Sequence, residues 1–389
     1  MTLTYVLMQN LKRNPLRSGL TAAAFALPMA VFTAAISLLV AMEELARENQ
    51  RQLRLAVHHK TSISNMLPVG MRSKIQGLDP GGQRITAICG MRWFGGRAPN
   101  TPDMLHAMAG DADTFPTTYS TIGMTPAEID EWRHERRAAL VGQATAAKYG
   151  WKLGDRIVAE STTPPYLALE FKIIKIMADP SNTNFFYFRL DYLDEALKAA
   201  GSRESEVNIF WVKCSSAEAL RSLQREIDLE FANSPNETRS EDENAFLAGF
   251  IQAAGDIPAL MEAMAVVVVL IISLVGGNTM MMSFRERVRE LAVFKAIGFQ
   301  ARRVFFVVLA ESLLLAVIGS VAGIAPTMAF LGAGPAWIRN LSSVGSLKPS
   351  PLAAMGSLGI ALAVGAVAGL WPAYQAMRLK TVDALRRVA

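Results

Sequence analysis

The side chains able to do chemistry are few, and their spacing is uninformative for catalysis. The four histidines, His58, His59, His106 and His134, lack the spacing of a metal site such as HExxH. His58 and His59 sit in a stretch that reads as extended, where neighbours face opposite sides and cannot easily serve one ion. They read as solvated or structural histidines. There is no GxSxG elbow. No GxxxxGK[ST] loop occurs within the 389 residues, so they hold no P-loop for ATP. The two cysteines, Cys89 and Cys214, form a candidate disulfide if the compartment is oxidising; two buried free thiols are the favoured alternative. No catalytic, cofactor or metal site emerges. One carboxylate stands out, because Glu311 is the single charge in a long apolar run. An ionisable group inside a membrane span is a functional candidate by default, for example in a proton relay. Pairing with Arg303 or Lys295 is its structural alternative.

The elements that carry these residues follow from hydropathy. A bilayer-crossing helix needs about 20 mostly apolar residues. Stretches 20–42, 263–284, 304–330 and 352–374 qualify, and their 95 residues contain only the one charge. The expected fold class is therefore a membrane protein. It has four transmembrane α-helices, one N-terminal and three C-terminal, with a large α+β extracytoplasmic domain between spans one and two. The first stretch is too long for a signal-peptide core of about 7–15 residues and reads as an uncleaved anchor. Lys and Arg crowd segments 1–19, 285–303 and 375–389, whereas the short loop 331–351 carries only Arg339 and Lys348. By the positive-inside rule both termini and the middle loop face the cytoplasm, and 43–262 lies outside. The chain is thus expected to be a multi-pass membrane protein with one large extracytoplasmic domain.

Within 43–262, helical stalks are expected at both ends. Two β-α-β units at about 58–97 and 206–242 bracket a mainly β insertion at about 98–205. A strand is expected at 58–66 and another at 206–213, with Ser216 as N-cap of the helix that follows. The net charge of +5 is no nucleic-acid footprint, because residues 43–262 hold 24 basic and 30 acidic side chains. The excess positive charge lies in the segments assigned to the cytoplasm.

The middle loop is the most specific stretch. Phe284, Val288, Leu291 and Ala292 make one helical stripe, with Arg285 and Arg289 on another face. Glu286/Arg289 and Arg287/Glu290 are i,i+3 pairs, and Gly298 is a helix terminator. Residues 286–298, read as ERVRELAVFKAIG, resemble the ERxREIGxxxAxG signature of MacB/FtsX-type ABC transporter permeases. Asn278, Met280, Glu311-Ser312, the Gly319/Gly323 pair, Gly369 to Ala376 and the start Asn10–Thr21 are similar to the same pattern. LVG at 140–142 through 147–155 resembles part of the MacB-like external core. The sequence departs from the signature in having Ala292 for the usual Gly and Phe294 where a basic residue is common.

The resemblance implies a non-catalytic permease in which the middle helix docks on an ABC-type ATPase subunit, with ATP and Mg bound there. Arg287, Arg289, Glu290, Lys295 and Gly298 become the coupling residues. It also implies a second permease copy, identical or paralogous, in contact with membrane lipid, and in some assemblies a membrane-fusion protein. Such a machine would move its external domain by mechanotransmission to export or extract a lipid, lipoprotein, peptide or drug-like substrate. The alternative is an FtsX-like regulator that activates a cell-wall hydrolase or sensor without cargo. Gly319/Gly323 and Gly365/Gly369 have GxxxG spacing and suit close helix packing, within the chain or between copies.

Overall fold

The computed structural model describes residues 15–99, 101, 103–179, 182–202, 205–253, 257–333 and 350–379. The N-terminal residues up to 14, the outer-loop positions Arg339 and Lys348, and the tail beyond 379 lie outside the described residues. Among the described residues two compact units result, one built from the apolar helices and one from the segment between spans one and two.

The apolar unit contains α1 (Pro15–Arg51), α9 (Ile257–Glu286), α10 (Val288–Ala296), α11 (Ala301–Ala333) and α12 (Pro351–Arg378). Four of them hold segments long and apolar enough to cross a membrane: Gly19–Ala41, Glu262–Glu286, Ala301–Ala333 and Pro351–Arg378. Phe25, Met29, Ile272, Ala316, Ile324, Ala361 and Val364 form their shared core. Buried hydroxyls bond back one turn, as Thr33 does to the Met29 carbonyl and Ser357 to that of Ala353, so these polar groups cross the apolar region satisfied.

In the second unit the strands are β1 (Arg54–His59), β2 (Leu67–Pro68), β3 (Ile85–Trp93), β4 (Gly96–Arg97), β5 (Met104–Gly110), β6 (Ala138–Gly142) and β7 (Arg156–Ser161). They continue with β8 (Ala168–Met177), β9 (Phe185–Arg189), β10 (Glu206–Val207), β11 (Ile209–Cys214) and β12 (Thr238–Asp242). Between them run α2 (Met71–Gly77), α3 (Phe115–Thr118), α4 (Pro126–His134), α5 (Gln143–Tyr149), α6 (Leu190–Ala199) and α7 (Ala217–Glu230), and α8 (Glu243–Ala253) closes the unit. Among the described residues ten strands make one sheet in the order β12-β1-β11-β3-β5-β4-β7-β8-β6-β9.

Alternation along the strands divides the core. Leu55, Val57, Phe186, Phe188, Phe210 and Val212 face one cluster with Leu223 and Ile227 of α7. Ala56, Tyr187, Ile209 and Trp211 face the other, with Phe115 and Trp132. Both faces are covered, so the strands are apolar almost without interruption. Ser216 caps α7 by accepting from the Ala219 amide at 3.1 Å. Thr125 and Glu128 form a reciprocal capping box on α4 that the sequence reading passed over.

Two expectations change here. The first strand is 54–59 and not 58–66: Arg54 to His58 are buried in the sheet, whereas 60–66 is polar and mostly exposed turn. The segment 98–205 is more mixed than expected and is no separate sheet: four helices accompany its strands β5 to β9, and β5 pairs directly with β3 of the flanking segment. Of the two states open to Cys89 and Cys214 the disulfide is absent and the favoured one is found: both thiols are free and buried, and they belong to the clusters on opposite faces of the sheet. Burial pushes each thiol up to about 12, which keeps it protonated and unreactive.

Candidate functional site

The signature segment folds as a corner. Helix α9 ends at Glu286, and Arg287, at φ −108° and ψ 10°, breaks it before α10 begins at Val288. The expected stripe survives this break: Phe284, Leu291, Val304 of α11 and Ala376 of α12 are buried together, with Val288 and Phe294 packed on them. Gly298, at φ +100°, ends the corner in a conformation that favours glycine. The Gly298 amide donates to the Lys295 carbonyl at 3.2 Å and the Phe299 amide to that of Phe294 at 3.0 Å. Those two bonds form a Schellman motif, completed by contact of the Phe294 and Phe299 rings, 5.4 Å between centroids.

Charges fix the corner to its neighbours. Arg287 Nη1 donates to Glu311 Oε2 on α11 at 2.5 Å, and Nε donates to Glu290 Oε2 at 3.3 Å. Lys295 Nζ donates to the carbonyls of Met377 and Leu379 at 2.8 Å each, satisfying the C-terminal end of α12. The partner of Glu311 is therefore Arg287, and neither Arg303 nor Lys295, because the break at Arg287 folds its guanidinium back onto α11. Of the five predicted coupling residues, Arg287, Glu290 and Lys295 are engaged within this corner and Gly298 shapes its end. Arg289 alone presents an exposed charged side chain. Val293 and Ile297 follow it at i+4 and i+8, and Ile297 is 68% exposed. An arginine beside two aliphatic side chains on an anchored helix is chemistry for docking a protein.

The glycines serve contacts inside the chain. A Cβ on Gly319 would lie 2.5 Å from the Ala22 carbonyl oxygen, and one on Gly323 would overlap that of Ala26, so this pair lets α11 meet the backbone of α1. Gly365 and Gly369 of α12 face Ala316 and Ser312 of α11. Gly323→Leu is expected to cut the yield of monodisperse full-length protein in detergent at least severalfold, read by gel filtration. Gly359→Leu is the control, since its added Cβ meets nothing within 4 Å. Equal yields would show that the α1–α11 approach is not needed for folding.

A second charged site escaped the sequence reading. Arg54, at the start of β1, donates through Nε and Nη2 to the two carboxylate oxygens of Glu243 at 2.7 and 2.6 Å. Both residues are buried, and the guanidinium lies 4.4 Å from the centre of the Tyr119 ring. Beside it β1 and β12 pair from Leu55↔Asp242 to His59↔Thr238. The strand that follows α1 and the helix that leads toward α9 are thus tied by one bidentate pair. The available signal was an arginine inside the apolar run 53–57, a position that demands a buried partner.

Residues 262–381, which contain most of α9 and all of α10 to α12, match the FtsX-like permease C-terminal family. The pyoverdine export ATP-binding/permease protein PvdT of Pseudomonas fluorescens is 27% identical over 314 residues, covering 78% of this chain and 46% of that protein. The macrolide export ATP-binding/permease protein MacB of Nitrobacter winogradskyi is 37% identical over 118 residues, 29% of this chain and 18% of that protein. This chain thus spans less than half the length of these relatives. Among solved structures, the extracellular domain of the noncanonic ABC-type transporter YknZ from Gram-positive bacteria aligns with a TM-score of 0.34 and 12% identity, over 48% of this chain and 99% of that domain.

Proposed function

Starting from a chain that is a MacB/FtsX-type ABC transporter permease, we propose that it couples ATP hydrolysis on a separate ATPase subunit to movement of its external domain. The face Arg289, Val293 and Ile297 carries this reading. It is exposed on a helix whose buried side is bolted by Arg287 to α11 and by Lys295 to α12, so a push on that face reaches two spans without passing through a flexible loop. In the orientation given by the positive-inside rule, the face lies in the cytoplasm, where ATP is available. ATP and Mg bind on the partner, and this chain supplies the lever. Two permease copies with two ATPases make the working assembly. The PvdT and MacB relatives are named for export of pyoverdine and of macrolides, which favours a small exported or extracted molecule here over control of a cell-wall hydrolase.

The test is the pair Arg289→Glu with Ile297→Asp in the full chain, co-expressed with the P-loop ATPase that purifies with it. Reversing the charge and burying a carboxylate in the apolar contact is expected to reduce ATPase co-purification, and permease-stimulated ATP hydrolysis, at least tenfold. Thermal unfolding of the permease itself should stay within a few degrees, since both side chains are exposed. Unchanged stimulation would remove this face from coupling.

A further inference from the structure

Strand β5 carries a row of soft donor atoms that the coupling corner does not use. Its burial alternates: Leu105, Ala107 and Ala109 enter the core, whereas Met104, His106 and Met108 turn to the other face. Residues two apart on a strand share a face and stand about 6.7 Å from each other. The His106 imidazole therefore sits between two thioethers, each on an unbranched side chain flexible enough to lean toward it. Met104 and His106 are exposed and Met108 is half-buried, so the row reaches solvent.

Aromatic rings wall this row on both sides. Trp93 of β3 pairs with Met108, and Phe185 of β9 pairs with His106. The His106 ring lies 5.8 Å from the Trp93 ring and 6.3 Å from that of Phe185, centre to centre. Among the described residues the other three histidines have hydrogen-bond partners. His58 and His134 place Nδ1 on the carbonyls of His59 and Asp130, and His59 Nδ1 accepts from the Thr61 amide. His106 makes ring contacts and no hydrogen bond among the described residues. Burial holds its pKa below the ordinary imidazole value, helped by the Lys148 ammonium. That ammonium is itself paired with Asp103 at 2.8 Å. The ring is thus neutral at pH 7, with a lone pair to donate.

Two thioethers and one imidazole make a soft, uncharged donor set. Calcium and magnesium take oxygen ligands, and zinc takes thiolate, imidazole or carboxylate. Among the described residues no three His, Cys, Asp or Glu side chains gather to supply those. Thioether sulfur selects Cu(I), and a nearby aromatic ring favours a cation further. We propose that Met104, His106 and Met108 form a Cu(I)-binding site on the external unit, with Trp93 beside the ion. At the end of the sheet where the chain enters β1, Arg54 pairs with Lys213 and Lys213 with Ala87. Strand β5 joins β3 only from Met91 onward, so the site lies at the opposite end, remote from the Arg54–Glu243 pair. The inference goes beyond ATPase coupling and does not depend on it.

The experiment uses the full chain in detergent under anaerobic conditions, without ATPase. Cu(I) is presented as its bicinchoninate complex, which isolated surface methionines do not strip. The parent is expected to take up copper, with sulfur and imidazole nitrogen around the metal in X-ray absorption. Met104→Leu and Met108→Leu should each weaken binding about tenfold, and His106→Gln should remove the imidazole signature. Leucine matches methionine in volume, so thermal unfolding of the metal-free variants should stay at the parent value. Cys89→Ser with Cys214→Ser should bind as the parent does, because both thiols are buried and protonated. Ag(I), which has the same ligand preference and is stable in air, is expected to quench part of the tryptophan fluorescence, and Trp93→Phe should abolish that quenching. A parent that takes no copper from bicinchoninate, uptake that survives Met104→Leu with Met108→Leu, or uptake that disappears only with the cysteines would each overturn the site. Quenching unchanged in Trp93→Phe would place the ion elsewhere. Tighter binding of Zn(II) at the same residues would overturn the choice of ion. Because no ATPase is present, none of these outcomes bears on the docking face of α10.

Discussion

Arg287→Ala is expected to destabilise the membrane unit by about 3–5 kcal/mol, the usual effect of removing one member of a buried ion pair and stranding the other. Glu311 is 8% exposed and its partner 14% exposed, so little water is at hand to take over. The same change removes the bond to Glu290 and leaves the turn between α9 and α10 without its tie to α11. Glu311→Gln should cost less, because an amide still accepts from the guanidinium. The double variant Arg287→Met with Glu311→Leu should recover most of the loss, since matched apolar groups replace an ion pair with small penalty or none. The measurement is thermal unfolding of the full chain in detergent for both single variants and the double, read as a double-mutant cycle. Additive losses, with no coupling between the two positions, would mean that the pair does not hold the corner. The same cycle separates support from chemistry. A Glu311 that relays protons cannot be replaced by leucine with activity intact, whereas a Glu311 that only anchors Arg287 can.

The corner shows how far a sequence pattern carries. The stripe Phe284, Val288, Leu291, Ala292 follows from helical periodicity and is the packed face, even though the chain breaks at Arg287 between its first two members. The residues assigned to coupling came from a motif, and a motif does not say which side of a helix is outward. Only the break at Arg287 decides that its guanidinium turns to α11 while Arg289, two positions on, turns away. Glycine spacing likewise announces close packing without naming the partner, here Ala22 and Ala26 of α1 for one pair. In the external unit, apolar runs locate the strands, but the single sheet depends on pairings between distant segments, such as β1 with β11 and β5 with β9. No local pattern encodes those. Nor does Arg54 disclose, from its own neighbourhood, a carboxylate 189 positions away.

That long-range pair supports the other large effect. Arg54→Met is expected to cost the external unit about 3–5 kcal/mol, because it leaves the Glu243 carboxylate buried without its counter-charge. Met keeps most of the volume, so the loss measures charge and hydrogen bonding more than a cavity. Tryptophan fluorescence of the full chain reports it, since Trp93, Trp132, Trp151 and Trp211 all belong to this unit. The functional consequence is the sharper one. Only residues 52 and 53 separate α1 from β1, and α8 follows β12 directly. The pair therefore ties the strand that leaves the first span to the helix that returns to the second. If the two spans do mechanical work on the external domain, force enters through this tie. Arg54→Met with Glu243→Leu should restore unfolding to within about 1 kcal/mol of the parent. ATPase stimulation should also be kept, while transport falls at least tenfold, because an apolar contact that slides cannot carry the load of a bidentate bond. A double variant that regains both stability and transport would reduce the tie to a stabilising pair. Loss of ATPase stimulation in the same variant would instead mean that the external unit signals back to the coupling helix, and that the lever runs in both directions.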